Sequence, residues 1–217
     1  PHLFWLTAMA STQPTIPAKP SALKQRILND EPVSFDVYLE RDAGDDRRLE
    51  YYDGWIVNVT GANWNHNVIV LNLGGLFLRE RLRSGCQPVA SDMRVAYGQE
   101  RRYVYPDLAV CCGSPELEKH DGVDMLMNPT CIAEVLSSST ADYDQGQKFQ
   151  QYRQIDTLQT YFVIAQDEPQ VTLWTRGEDD SWTLRDISGL DASFTVEVID
   201  VSIEMSQLYS NVFDSTP

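Results

Sequence analysis

This sequence predicts an α/β fold of the α+β kind, a central mixed β-sheet flanked by helices, and three observations carry the prediction. A strand, a helix and a second strand follow one another around residues 130 to 165. Two alternating runs meet at Asp53-Gly54, a dipeptide that suits the positive φ angles of a tight hairpin. Between Asn65 and Arg83 the apolar residues Val68, Leu71, Leu73, Leu76, Phe77 and Leu82 recur at helical spacing.

A proline-rich leader ends near Ser21. Residues 1 to 20 are expected to be a disordered or non-native leader, with Met9 a candidate start, and residues 21 to 217 a single domain able to bury a sizeable core. VSFDVYLERDA predicts a short helix near residues 33 to 42, and RLEYYDGWIVNV predicts the hairpin. The long helix follows, with Arg79, Arg81 and Arg83 near its end, where cations suit the helix dipole. Strands are expected at CQPVA, MRVAY and YVYPDLAVCC, the last as one continuous strand, and GSPELEKHDGVD as an exposed acidic loop. PTCIAEVLS is a further strand, after which SSSTADYD, rich in capping residues, leads into a helix from about Asp144 to Ile155. Strands at TYFVIA, QVTLWTR and SWTLRDI follow, hairpin-like because EPQ and GEDD separate them.

A hydrophobic content of 42% describes a globular chain, and no apolar run approaches the roughly 18 to 20 residues that span a bilayer. LFWLTAMA is short and lacks a positively charged leader, so it does not read as a secretory signal. The net charge of −15 argues against indiscriminate attraction to nucleic acid. That excess is unevenly spread: residues 76 to 153 hold nine Lys and Arg against eleven Asp and Glu, and the remainder eight against twenty-one. Cys86, Cys111, Cys112 and Cys131 show no CxxC spacing, which argues against a structural zinc site. They read as apolar filler in a reducing compartment, so a cytoplasmic protein with no membrane partner is expected.

Candidate chemistry concentrates between Pro106 and Tyr152. Asp107 opens PDLAVCC, Glu134 interrupts CIAEVL, and Lys148 lies in DQGQKFQQY, where Asp144, Lys148 and Tyr152 share one helix face. A carboxylate inside an apolar strand is costly to bury unless it is paired, hydrogen-bonded or bound to metal. Asp107 and Glu134 are too far apart in sequence for local contact, so they meet only across neighbouring strands. Two such carboxylates ask for a cation, and the expected use is a Mg²⁺-dependent cut in a phosphodiester. Plainer accounts exist for each residue alone: Asp107 as a strand terminator, Lys148 as a surface helix lysine, Glu50 as a partner of Arg47 or Arg48, and Tyr152 as core filling.

EYYDGWI, the helix with His66, SDMRV, YPDLAV, AEVLSSST, DYDQGQKFQQYRQ and TYFVIAQDEPQVTLWTR, in that order, resemble the Uma-two family of restriction endonucleases, a branch of the PD-(D/E)XK nuclease superfamily. The resemblance covers about residues 32 to 187 and implies a restriction-endonuclease-like core with a divalent metal at its middle. Asp107 matches the motif Asp, and Glu134 the acidic position of the second half-motif. Two residues after Glu134, where the superfamily has its lysine, this chain has Leu136; the resemblance implies a lysine moved to the next helix, Lys148. Glu50 matches an acidic residue that can complete the metal shell. By resemblance Asp107, Glu134 and the backbone carbonyl of Val135 would hold Mg²⁺ or Mn²⁺, and Lys148 would orient or help deprotonate the attacking water. His66 and Arg94 are the expected substrate contacts, the first also a candidate for proton transfer.

The resulting expectation is a hydrolase, a metal-dependent endonuclease acting on DNA, as a homodimer because duplex cleavage usually uses two sites. The alternative is a catalytically silent nucleic-acid or protein binding module on the same fold. Acidity and the lack of a helix-turn-helix or zinc finger favour it, and the intact Asp107, Glu134 and Lys148 oppose it. No P-loop, HExxH or GxSxG supports another hydrolase class.

Overall fold

The computed structural model describes residues 19, 26–45, 47–59, 62–98, 102–120, 122–136, 146 and 148–213, with secondary structure alone for 80–84. The expected leader, apart from Lys19, and the capping run at 137–144 lie outside these residues, as does Asp144.

In chain order the elements are α1 (Phe35–Ala43), β1 (Arg48–Tyr52), β2 (Trp55–Val59), α2 (Trp64–Ser84), β3 (Cys86–Ala90), β4 (Arg94–Tyr97), β5 (Arg102–Val104) and β6 (Leu108–Cys112). Then come β7 (Leu117–His120), β8 (Val123–Leu126), β9 (Cys131–Leu136), α3 (Phe149–Tyr152), β10 (Thr160–Ala165), β11 (Gln170–Arg176), β12 (Trp182–Ser188), β13 (Ser193–Val196), β14 (Val201–Glu204) and α4 (Met205–Leu208). The mixed α+β class agrees with expectation, but there are two six-stranded sheets in place of one. The first runs β2-β1-β5-β4-β8-β7, the second β12-β11-β10-β9-β6-β3, and β13-β14 forms a separate hairpin. In the second sheet β9 lies parallel to β10 and antiparallel to β6.

Local chemistry explains the elements that frame the site. Ser34 caps α1 by accepting from the Val37 N–H. The β1–β2 turn needs positive φ at Asp53 (49°) and Gly54 (93°), and a Cβ on Gly54 would fall 2.7 Å from the Pro32 side chain. On α2 the buried face is Ile69, Leu73, Leu76 and Phe77, each worth about 1.5–3 kcal/mol of burial.

Strand alternation sorts the core into three layers. Leu108, Val110, Cys131, Ala133 and Val135 meet α2, β13, β14 and α4 on one side of the second sheet. Ala109, Ile132 and Leu136 on its other side meet α3 and the inner face of the first sheet, represented by Tyr52, Val57, Val95 and Val104. Leu49, Tyr51, Ala96 and Tyr103 form the outer face of the first sheet, covered by Tyr38 and Leu39 of α1.

Several expectations are corrected. YVYPDLAVCC is two strands, β5 and β6, in different sheets, because Pro106 has no N–H to give a ladder and the chain changes sheet there. The acidic loop is the β7–β8 hairpin, whose polar residues suit its place at the edge of the first sheet. Only Phe149–Tyr152 of the expected 144–155 helix is α-helical among the described residues. Leu71, counted with the apolar face of α2, is exposed. Cys86 and Cys112 are direct partners across the β3–β6 ladder and form a disulfide, so two of the four cysteines are not free apolar filler; Cys111 and Cys131 are free and buried. Among the described residues no helix is long and apolar enough to cross a membrane.

Candidate active site

Glu134 has the parity of Ile132 and Leu136 on β9, so it points into the layer between the two sheets. There its Oε1 lies 2.8 Å from Lys148 Nζ and accepts a 2.7 Å hydrogen bond from the Tyr152 hydroxyl. Lys148 and Tyr152, four residues apart at α3, deliver a cation and a neutral donor to one oxygen, and the amine lies 5.9 Å from the Tyr152 ring centre. Burial, then the charges of Glu134 and Glu50, push the Tyr152 phenol well above its ordinary value, so it stays protonated as a donor.

Asp107 stands immediately before β6. The ladder pairs Leu108 with Ala133, so the next position sets Asp107 opposite Glu134. Its Oδ2 accepts a 2.7 Å hydrogen bond from the Val135 N–H, tying the aspartate to the residue after Glu134. Its Oδ1 lies 3.1 Å from His66 Nε2. His66 is placed by the start of α2, where the Asn63 side chain caps the helix by accepting from the His66 N–H at 2.9 Å. The Asp107 and His66 side chains are 19% and 14% exposed, against 10% for Lys148 and 5% for Glu134, so Asp107 is the most water-accessible member of the cluster and Glu134 the least.

Glu50 comes from the opposite sheet. It shares its β1 face with Tyr52, the inner face, and is buried. Tyr52 donates its hydroxyl to Oε2 at 2.6 Å and the Tyr105 N–H donates to Oε1 at 3.0 Å. The action of Glu50 on the Tyr152 phenol places its charge within electrostatic reach of the Glu134 cluster.

Arg94 is not brought to these carboxylates. It has the parity of Ala96 on β4 and so turns to the outer face of the first sheet, where its guanidinium bonds Asp42 of α1 and the Tyr105 hydroxyl. Burial raises the Asp42 carboxyl above its ordinary value against the pull of Arg94. Arg79 reaches Gln207 at 3.4 Å, and the side chains of Arg81 and Arg83 lie outside the described residues. Sequence reasoning missed the bond from Tyr152 to Glu134 and the bonds from Tyr52 and Tyr105 to Glu50. The only advance signal was the helical spacing of Tyr152 from Lys148.

Among the described residues no group of three or more His, Cys, Asp and Glu side chains is gathered closely enough to hold a metal ion as it stands. The donor chemistry nonetheless suits a hard cation. Mg²⁺ binds through one or two carboxylates and keeps several waters, and Asp107 and Glu134 offer that pair from opposed positions on adjoining strands.

Comparisons with known proteins agree with this architecture. A solved structure described as a putative nuclease belonging to DUF820, from Anabaena variabilis, superposes with a TM-score of 0.67 at 16% identity, covering 82% of this chain and 98% of that one, and so shares the fold. Among curated sequences, "Uncharacterized protein sll1609" of Synechocystis sp. is 34% identical over 155 residues, 71% of this chain and 87% of that protein. "Uncharacterized protein slr1290" of the same organism is 27% identical over 175 residues, 77% of this chain and 90% of that protein. Residues 35–206 match the sequence model of Uma2, described as "Putative restriction endonuclease", and the chain belongs to that family.

Proposed function

We propose that this protein is a metal-dependent endonuclease that hydrolyses phosphodiester bonds in DNA by PD-(D/E)XK-type chemistry, with residues 21–217 as one nuclease domain. The observation that carries this reading is the buried Glu134–Lys148 pair, set across a strand ladder from the water-accessible Asp107. Asp107 and Glu134, with the Val135 carbonyl, are the groups to hold Mg²⁺ or Mn²⁺, and Glu50 completes the acidic surround. When bound, the cation supplies charge neutralisation at the scissile phosphate and acidifies a water. The chain's own residues do the rest. Lys148 holds its ammonium where negative charge grows on the phosphoryl oxygens as water adds to phosphorus and the ester P–O bond breaks. Tyr152 fixes the Glu134 carboxylate by donating to Oε1. His66, oriented by Asp107 at Nε2, lies on the open side, where it contacts the substrate or carries a proton. Cytoplasmic DNA is the substrate setting we favour, and a homodimer would present two such centres to a duplex.

The test is cleavage of supercoiled plasmid and of labelled single strands with Mg²⁺, Mn²⁺ or EDTA by wild type, Glu134→Ala and Lys148→Ala. Metal-dependent cutting lost in both folded variants is expected. No cutting by wild type, with DNA binding retained, would replace this reading with the binding module.

A further inference from the structure

The segment that brings Lys148 and Tyr152 to Glu134 cannot hold its own position. α3 is a single turn, Phe149–Tyr152, with Lys148 immediately before it. One turn does not persist alone, because nucleation fixes several backbone angles for one hydrogen bond, so contacts from outside must set where it lies. The first sheet offers two long ones, from the Tyr97 hydroxyl to Gln151 at 3.2 Å and from Arg102 to Gln154 at 3.3 Å, both to side-chain oxygens.

Arg176, the last residue of β11, grips the backbone instead. Its Nη2 donates to the Arg153 carbonyl at 2.7 Å and to the Ile155 carbonyl at 2.9 Å, and its Nη1 donates to the Asp156 carbonyl at 3.1 Å. These carbonyls belong to the turn that leaves α3, and the turn is tied to the helix by bonds from the Arg153 N–H to the Phe149 carbonyl and from the Ile155 N–H to the Tyr152 carbonyl. β11 is an inner strand of the second sheet, one strand removed from the β9 that carries Glu134. The same guanidinium lies 5.0 Å from the Trp182 ring centre, and Trp182 meets the ring of Phe149 edge-on at 5.3 Å, beside Lys148 in the chain. Arg176 thus acts on both ends of the segment.

Ion pairing does not account for this charge. The Arg176 side chain is 11% exposed, whereas Asp180, its acidic neighbour at 3.6 Å, is 87% exposed, and a pair with so exposed a partner contributes little. A planar fork that spans several carbonyls is what arginine supplies and lysine does not. We infer that Arg176 is a positioning residue: it clamps the turn after α3 to the second sheet and so fixes Lys148 and Tyr152 against Glu134. Its consequence for catalysis rests on the proposed function; the clamp itself does not.

Brief acetylation with acetic anhydride, followed for each lysine by peptide mass spectrometry, tests the clamp without any activity measurement. In wild type Lys148 should react at least about tenfold more slowly than Lys119, which is 66% exposed. Arg176→Met should speed Lys148 at least about fivefold and leave Lys119 unchanged, with the circular dichroism spectrum of the folded protein. Arg176→Lys, which keeps the charge but cannot span three carbonyls, should speed Lys148 in the same direction and serves if Arg176→Met does not fold. Arg94→Met, weakened on the outer face of the first sheet, should keep Lys148 at the wild-type rate, which separates local release from general unfolding. Where wild type cleaves plasmid, the folded Arg176 variant should lower kcat about tenfold with KM within about twofold. Unchanged Lys148 protection in that variant, the same gain in Arg94→Met, or an unaltered kcat would overturn the clamp. Wild type that cleaves nothing, with Lys148 released in the Arg176 variant alone, would leave the clamp standing and count against the proposed function.

Discussion

Two buried ion pairs of similar burial lead to opposite readings. Asp42–Arg94 closes the outer face of the first sheet, and Glu134–Lys148 occupies the layer between the sheets. Around the first stand Tyr38, Tyr103 and Phe35, with Phe35 stacked on Tyr103 and tilted against Tyr38, and Tyr105 takes up the guanidinium. Beside the second stand a further carboxylate, Asp107, and a histidine, both part-exposed. Desolvation is paid in both places; the second pair also faces, across the β6–β9 ladder, a part-exposed carboxylate that is held by a histidine. Burial of a charge therefore marks a special residue without saying whether it is structural or chemical, and the neighbours decide.

Stability should treat the pairs alike. Removing one partner leaves an uncompensated buried charge, so Arg94→Met and Lys148→Met should each cost about 3–5 kcal/mol in urea unfolding. Glu134→Gln combined with Lys148→Met should recover most of that loss, because neither charge remains. A double variant as unstable as the singles would show that the pair is not the unit.

Activity should separate them. Measured per folded molecule, Lys148→Met and the Glu134→Gln/Lys148→Met double variant should lose about 10²–10³-fold in plasmid cleavage, while Arg94→Met stays close to wild type. Equal losses would dissolve the distinction.

A finer contrast lies at the tyrosines. Tyr152→Phe removes a hydrogen bond to a buried carboxylate and should cost about 1.5–3 kcal/mol, read from thermal or urea denaturation.

Alkaline pH should show the smallest effect. Burial raises the phenols of Tyr38, Tyr152 and Tyr209, and the Cys131 thiol is pushed up to about 12, so the folded state holds these protons more tightly than the unfolded chain. Their stabilisation is complete below the unfolded values, about 8.5 for the thiol and about 10 for the phenols, and is lost as pH rises toward the folded ones. The melting temperature should fall from about pH 9 upward, with a shallower slope in Tyr152→Phe above pH 10; a flat profile would contradict the burial described.

The inner pair was legible because its signals are local. Glu134 inside CIAEVL could only be buried, Asp107 followed a proline, and Lys148 and Tyr152 had helical spacing. The hairpin at Asp53-Gly54 and helix α2 were legible for the same reason. The outer pair was not, since Asp42 and Arg94 are joined by sheet topology and nothing in ERDAG or SDMRV announces the other. The jump between sheets at Pro106 was hidden inside a run that reads as continuous strand. The β7–β8 hairpin was hidden by polar residues, which an edge strand keeps and a loop shares. Disulfide Cys86–Cys112 depended on a register the spacing does not encode.

Calorimetric titration of Mn²⁺ into wild type, Asp107→Ala, Glu134→Ala and Asp42→Ala tests the metal centre most directly. The account predicts binding by wild type and by folded Asp42→Ala, and its loss in both Asp107→Ala and Glu134→Ala. Undiminished binding in either of those two would contradict a centre built from the opposed carboxylates of β6 and β9.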